Sequence, residues 1–181
     1  SLRPRSEDGK NSVAPDSIYG YSKYWGELIS KNYNKIYGIK TTSLRYFNVY
    51  GGGQKINGAY GAVIPTFVEA IRGGKTAIIS GNGEQTRDFV YIKDIIRANK
   101  LAIKKNKACG ESINIGTGVG TSILELFCTL RNLMGCPNAS YGLGGGNKGV
   151  ENSIAETKKA QKVLGFKASY KIEDGLRDML R

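Results

Sequence analysis

Tyr19 and Lys23 are the side chains in this sequence whose types and spacing suit proton transfer. They lie four residues apart in Ser17-Ile18-Tyr19-Gly20-Tyr21-Ser22-Lys23, so a helix would send both from one face toward one site. A phenol is a poor base at neutral pH, but an ammonium held beside it favours the phenolate. Such a tyrosine takes a proton from a substrate hydroxyl while a neighbouring acceptor takes the hydride from carbon. A bare Tyr-x-x-x-Lys pattern is weak, and an isolated match is more often a solvated helix face. Its weight depends on the elements that position it.

Those elements alternate. Residues 1–14 are polar and aperiodic, and Pro15-Asp16-Ser17 supplies a breaker and a cap. Ile18, Tyr21, Trp25, Leu28, Ile29 and Ile36 then recur at helical spacing, and Gly38 is a stop, which predicts a helix over 15–38. Thr41 to Phe47 is β-branched and aromatic, as a strand should be, and runs into Asn48-Val49-Tyr50-Gly51-Gly52-Gly53, read as a loop. Helices are expected at 62–71, 92–105 (with Ile95, Ile96 and Leu101 inward), 122–134, 155–164 and from 172 onward. Strands are expected at 76–80 and 112–115, with an extended segment at 85–91. Helix and strand joined by short links build a parallel α/β sheet, whose ligands sit beyond the carboxyl ends of strands. The Asn48 segment is therefore placed for binding.

Composition narrows the classes. The 181 residues are 40% hydrophobic, enough for one ordinary core, and no apolar run is long enough to span a bilayer. The start does not resemble a signal peptide, so a soluble cytoplasmic protein is expected, without membrane partners. Histidine is absent, and the three cysteines form no C-x-x-C, which disfavours a metal site, a disulfide framework and histidine-based mechanisms. The net charge of +12 does not make a nucleic-acid platform, because the lysines are scattered and no aromatics interleave with them. A basic surface suited to polyanionic small molecules fits better.

Gly116-Thr117-Gly118-Val119-Gly120, between a strand and a helix, invites comparison with a phosphate loop. It lacks the extra residue of G-x-G-x-x-G, and no acidic residue ends a second strand about twenty positions on. Ser122-x-x-Glu125 behind it is a capping box that explains the helix start without a ligand. Gly144-Gly145-Gly146 reads as a mobile loop.

Four ordered blocks resemble the extended short-chain dehydrogenase/reductases, within them the NAD-dependent epimerase/dehydratase family of the UDP-glucose 4-epimerase type. They are Pro15 to Lys23, Leu44-Arg45-Tyr46-Phe47-Asn48-Val49-Tyr50-Gly51, Ala62-Val63-Ile64-Pro65, and Gly81 to Asp94. The resemblance implies a C-terminal part of a Rossmann-type parallel sheet plus a small substrate-binding lobe, with the catalytic helix at 15–38 and the substrate-binding portion at about 48–181. It implies that Tyr19 is the catalytic base and Lys23 its electrostatic partner. It also implies that Tyr19, Lys23 and Phe47 lie by the nicotinamide of NAD, that Asn48 binds the sugar nucleotide and that Arg87 contacts its diphosphate. Ser153 matches the position that limits room beside the sugar C2 substituent, although it could instead cap the helix near Ala155. The substrate implied is a nucleotide sugar, UDP-linked, and the assembly a homodimer.

Two departures go with this resemblance. The family's dinucleotide-binding half, with its glycine fingerprint, would lie upstream of Ser1, so weak or absent NAD binding by this chain alone is expected. The phosphate- and ribose-binding arginine and acid fall on Gly146 and Gly149, with Lys148 and Glu151 as shifted substitutes. A 4-epimerase is the leading expectation. A related dehydratase, decarboxylase or reductase, or a non-catalytic sugar-nucleotide module, remains open.

Overall fold

A computed structural model gives the architecture, and it describes residues 5–7, 17–54, 62–145 and 152–181. Pro15 and Asp16 of the expected cap, and Gly146, Lys148, Gly149 and Glu151, lie outside those residues. In chain order the elements are α1 (Ile18–Tyr37), β1 (Ser43–Tyr46), β2 (Asn48–Tyr50), α2 (Val63–Arg72), β3 (Ala77–Ser80), β4 (Thr86–Arg87), β5 (Phe89–Tyr91) and α3 (Ile92–Lys104). A short 3-10 turn at Asn106–Ala108 leads to β6 (Ser112–Ile115), β7 (Thr121–Ser122), α4 (Ile123–Leu133), β8 (Tyr141–Gly144), β9 (Asn152–Ser153), α5 (Lys158–Leu164) and α6 (Ile172–Met179). None of the described helices is long and apolar enough to cross a membrane.

The pairings β1–β6, β2–β5 and β3–β8 are parallel, as helix-linked strands require. β4 sits between β7, antiparallel, and β9, parallel. β5 is buried at all three positions and alternates between two cores. Phe89 and Tyr91 join Tyr50, Phe67, Ile79, Leu126, Phe127 and Leu176, between α2, α4 and α6. Val90 joins Ile95, Ala98, Ile113, Ile115, Leu164 and Phe166, where α3 and α5 cover β6.

Several expectations shift. Asn48 to Tyr50 is not a loop but β2, because the Asn48 amide donates to the Asp88 carbonyl (2.9 Å) and Tyr50 is buried against Tyr91. The apolar run therefore breaks at Phe47 and resumes. Ile96 is 48% exposed, the inward face of α3 being carried by Ile95 and Ala98. Gly144 closes β8 beside Ser80 and does not open a loop. The helix expected from 155 starts only at Lys158, because Asn152 and Ser153 pair with β4.

α1 starts and stops where its sequence dictates. The Ser17 hydroxyl accepts from the Gly20 amide, and Gly38 takes the left-handed conformation that glycine adopts without penalty. None of its twenty residues is buried, and its apolar stripe, with Ile18, Trp25 and Ile36 well exposed, faces away from both cores. It is held to β1 by the Arg45 guanidinium, which grips the Glu27 carboxylate with two 2.7 Å bonds, and by the Thr41 hydroxyl donating to the Ser30 carbonyl.

Asp94, buried at the start of α3, ties the C-terminal segment to the core. Its carboxylate accepts from the Ser169 amide and hydroxyl, the Tyr170 amide and Arg97. Burial works to raise this carboxyl, and the hydrogen bonds from Arg97, Tyr170 and Ser169 outweigh it, leaving it below its ordinary value. A carboxyl depressed in the folded state stabilises fully above its unfolded pKa, about 4, and loses that contribution as pH falls through the folded value. Asp94→Asn should cost about 3 kcal/mol at neutral pH, since it leaves Arg97 and two amides poorly matched. Urea denaturation at pH 7 and near pH 3 should show that deficit shrinking in acid. A pH-independent deficit would assign the loss to packing and not to charge.

Candidate functional site

The glycine loop and the strand ends meet at Asp88, which has no exposed surface. Its Oδ1 accepts from the Thr117 amide (2.8 Å) and hydroxyl (2.7 Å), and its Oδ2 from the amides of Gly118 (2.9 Å) and Ala155 (3.1 Å). The loop is thus an anion nest whose anion is an internal carboxylate, so its Thr117 and Gly118 amides are not open to a phosphate. Its glycines follow from that approach. A Cβ on Gly116 would stand 2.6 Å from both Asp88 Oδ2 and the Ala155 methyl, and Gly118 has φ +77°. The Ser122–Glu125 capping box forms as its spacing predicts.

The Asp88 backbone also joins the expected substrate residues. The Asn48 amide donates to its carbonyl and its own amide donates to the Ser153 carbonyl, each at 2.9 Å. Phe47, Asn48 and Ser153 consequently line one depression of about 280 Å³, together with Tyr46 and Arg5. Ser153 is not a helix cap, since it lies in β9 opposite Arg87 and α5 begins five residues later. Arg87 does not line that depression; it pairs with Ser153 across the sheet, and its guanidinium donates to the Thr86 carbonyl (2.8 Å). Burial, and then the charge of Arg5, hold Arg87 below its ordinary pKa.

Arg5 is the residue that sequence reasoning missed. It sits in a polar, aperiodic stretch, and the bridge to Ala155, with the Asn114 side-chain amide donating to its carbonyl (2.9 Å), brings it to the site. A larger depression of about 360 Å³ lies against α3, lined by Lys40, Leu44, Asn99 and Ile103 among others, and holds none of the expected site residues.

Tyr19 and Lys23 occupy the first turns of α1, on one face as their spacing requires. The Lys23 ammonium lies 5.2 Å from the centroid of the Tyr19 ring. Neither lines the Asn48–Ser153 depression. Phe47 marks the break between β1 and β2, its amide donating to the Ile115 carbonyl (3.0 Å).

Parallel strands crossed by helices, with a Tyr-x-x-x-Lys helix beside them, define the C-terminal part of a Rossmann-type α/β fold. The family model for the NAD dependent epimerase/dehydratase family matches residues 2–116, and the chain belongs to that family. It is similar to the UDP-N-acetylglucosamine 4-epimerase of Methanobrevibacter ruminantium, solved with UDP-N-acetylmuramic acid: 31% identity and TM-score 0.88, over 99% of this chain and 57% of that one. The UDP-glucose 4-epimerase of Thermotoga maritima, solved with UDP-glucose, has 37% identity and TM-score 0.87, over 94% and 54%. A mutant UDP-glucuronic acid 4-epimerase of Bacillus cereus, solved with NAD and a UDP-fluoroglucuronic acid, has 31% identity and TM-score 0.86, over 99% and 55%. The chain spans about half the length of the curated relatives it matches.

The Asp88 junction is open to direct test. Asp88→Asn replaces an acceptor of four bonds with a group that turns a donor toward backbone amides, and should cost about 3 kcal/mol. Hydrogen exchange should then accelerate at Thr117, Gly118 and Ala155 before it does so in β6. Exchange at those amides as slow as in the parent chain would place the anchor elsewhere.

Proposed function

We propose that this chain is the catalytic and substrate-binding part of a UDP-sugar 4-epimerase. The observation that carries this reading is the pairing of Tyr19 and Lys23 on one face of α1 in a member of this family. The substrate surface in this reading is the depression at Asn48 and Ser153, with Arg87 on the diphosphate. That surface occupies about 48–181, and the dinucleotide phosphates are held by the part of the relatives that this chain does not span.

The residues present fit the nicotinamide end of NAD. Tyr19, Lys23 and Phe47 offer a phenol, an ammonium and an apolar ring, whereas the amides of the glycine loop are spent on Asp88. NAD, when bound, accepts the hydride from sugar C4 and returns it. Tyr19 accepts the C4 hydroxyl proton on its phenolic oxygen, and the Lys23 ammonium stabilises the phenolate. Asn48 and Ser153 would hold the 4-keto sugar while it turns its other face, and Tyr19 would give the proton back to the C4 oxygen as the hydride returns to C4. The reading extends to a cytoplasmic protein and to a homodimer, the latter supported by the solvent-facing apolar side chains of α1. A second reading is a sugar-nucleotide-binding module without NAD, favoured by one observation: the glycine loop at 116–120 lacks the spacing of a G-x-G-x-x-G fingerprint.

In the enzyme assembled with its dinucleotide-binding half, Tyr19→Phe should lower turnover by a factor of about a hundred or more while UDP-sugar affinity changes little. Lys23→Met should lower it too. Turnover near that of the parent would leave the pair as surface residues and favour the binding module. Ser153 tests the sugar. Its small side chain leaves room beside C2, so N-acetylated UDP-hexoses should be turned over alongside plain ones. Ser153→Tyr should shift the ratio of UDP-N-acetylglucosamine to UDP-glucose turnover about five- to 150-fold toward glucose. An unchanged ratio would remove Ser153 from the pocket.

A further inference from the structure

Ser153 is flanked by arginines on both sides. Arg87 pairs with it in register on β4. On the other side Arg5 bridges Ala155, and its side chain runs back along β9 to donate to the Asn152 carbonyl (3.2 Å). The two guanidiniums are close enough that the charge of Arg5 is felt at Arg87.

Among the described residues neither arginine is in an ion pair. Among the described residues the neighbouring acids make their bonds elsewhere. Asp88 is spent on the glycine loop, Glu7 accepts from the Asn114 amide (2.8 Å) and Glu156 accepts from the Lys158 amide (3.0 Å). A guanidinium does not lose its proton to relieve repulsion, so two like charges with no direct carboxylate partner among the described residues favour an anionic ligand.

A diphosphate on Arg87 uses one of the two. Arg5, unlike Arg87, lines the depression with Phe47, Asn48 and Ser153, which is the sugar end of the site in the reading above. We propose that Arg5 is a specificity-determining residue that reads an acidic group on the sugar, so that the site prefers UDP-sugars bearing a carboxylate over the neutral ones it also accepts. This rests on the proposed function, since it takes the depression as the sugar subsite. A planar fork suits a carboxylate bidentately, which an ammonium cannot copy.

The test is calorimetric titration of the assembled enzyme with UDP, UDP-glucose and UDP-glucuronate. The parent should bind UDP-glucuronate more tightly than UDP-glucose. Arg5→Met should weaken UDP-glucuronate about tenfold or more, with UDP and UDP-glucose within about twofold, and Arg5→Lys should restore part of the loss. An equal loss on all three ligands would make Arg5 a diphosphate contact and overturn the proposal, as would a variant indistinguishable from the parent. Unchanged UDP affinity certifies that a variant is folded. Absence of UDP binding by the parent would defeat the epimerase reading itself, whereas intact UDP binding with no preference for the acid would defeat only the role of Arg5.

Discussion

A single buried carboxylate holds the site together. Asp88 interrupts β4 and β5, and its backbone ties Asn48 to Ser153 while its side chain gathers the loop after β6 and the amide of Ala155. Each bond satisfies a polar group that burial would otherwise make costly. The geometry requires glycine at 116, because any side chain there would collide with the carboxylate. Two strand runs, from β1 to β2 and from β4 to β5, break on neighbouring chains at this level. The breaks turn Asn48 and Arg87 toward the same region as Ser153.

The two cores depend on that junction in different ways. β5 lies between them, so Phe89 and Tyr91 on one face and Val90 on the other must all be in register before either core closes. Asp94, three residues beyond Tyr91, then fastens the segment at Ser169 and Tyr170 so that α6 reaches Tyr50, whose hydroxyl donates to the Ile172 carbonyl. Carboxylates at 88 and 94 thus clamp the two ends of one buried stretch to distant parts of the chain.

Most of this frame was legible in the sequence. Period-3.6 runs gave α2, α3 and α4 within a residue or two, and the β-branched runs gave β1, β3 and β6. The elements that were missed are short or rich in polar residues and glycine. β7 and β9 have two residues each, too few to show a period, and exist because β4 offers both its edges. β2 was hidden by the asparagine and the glycines around it, although its pairing depends on backbone groups that any residue carries. Of the candidate residues, Tyr19, Lys23, Phe47, Asn48 and Arg87 were nameable from blocks with recognisable neighbours and Ser153 from its matched position, and Phe47, Asn48 and Ser153 share one depression. Arg5 was not, because its position is fixed by a bridge to a residue 150 places later. The occupant of the glycine loop was equally hidden, since Asp88 lies 29 residues from Thr117.

α1 carries the Tyr19–Lys23 pair yet buries none of its residues, and the Glu27–Arg45 clasp that tethers it lies a full turn beyond Lys23. In the epimerase reading the pair must be fixed to about half an ångström, as reacting groups are, while the clasp at Glu27 and the bond from Thr41 to Ser30 act on the middle of the helix. Ile18, Trp25 and Ile36 leave an apolar stripe exposed on the same helix. In the epimerase reading, burying that stripe steadies the phenol, and chemical competence becomes a property of the packed assembly.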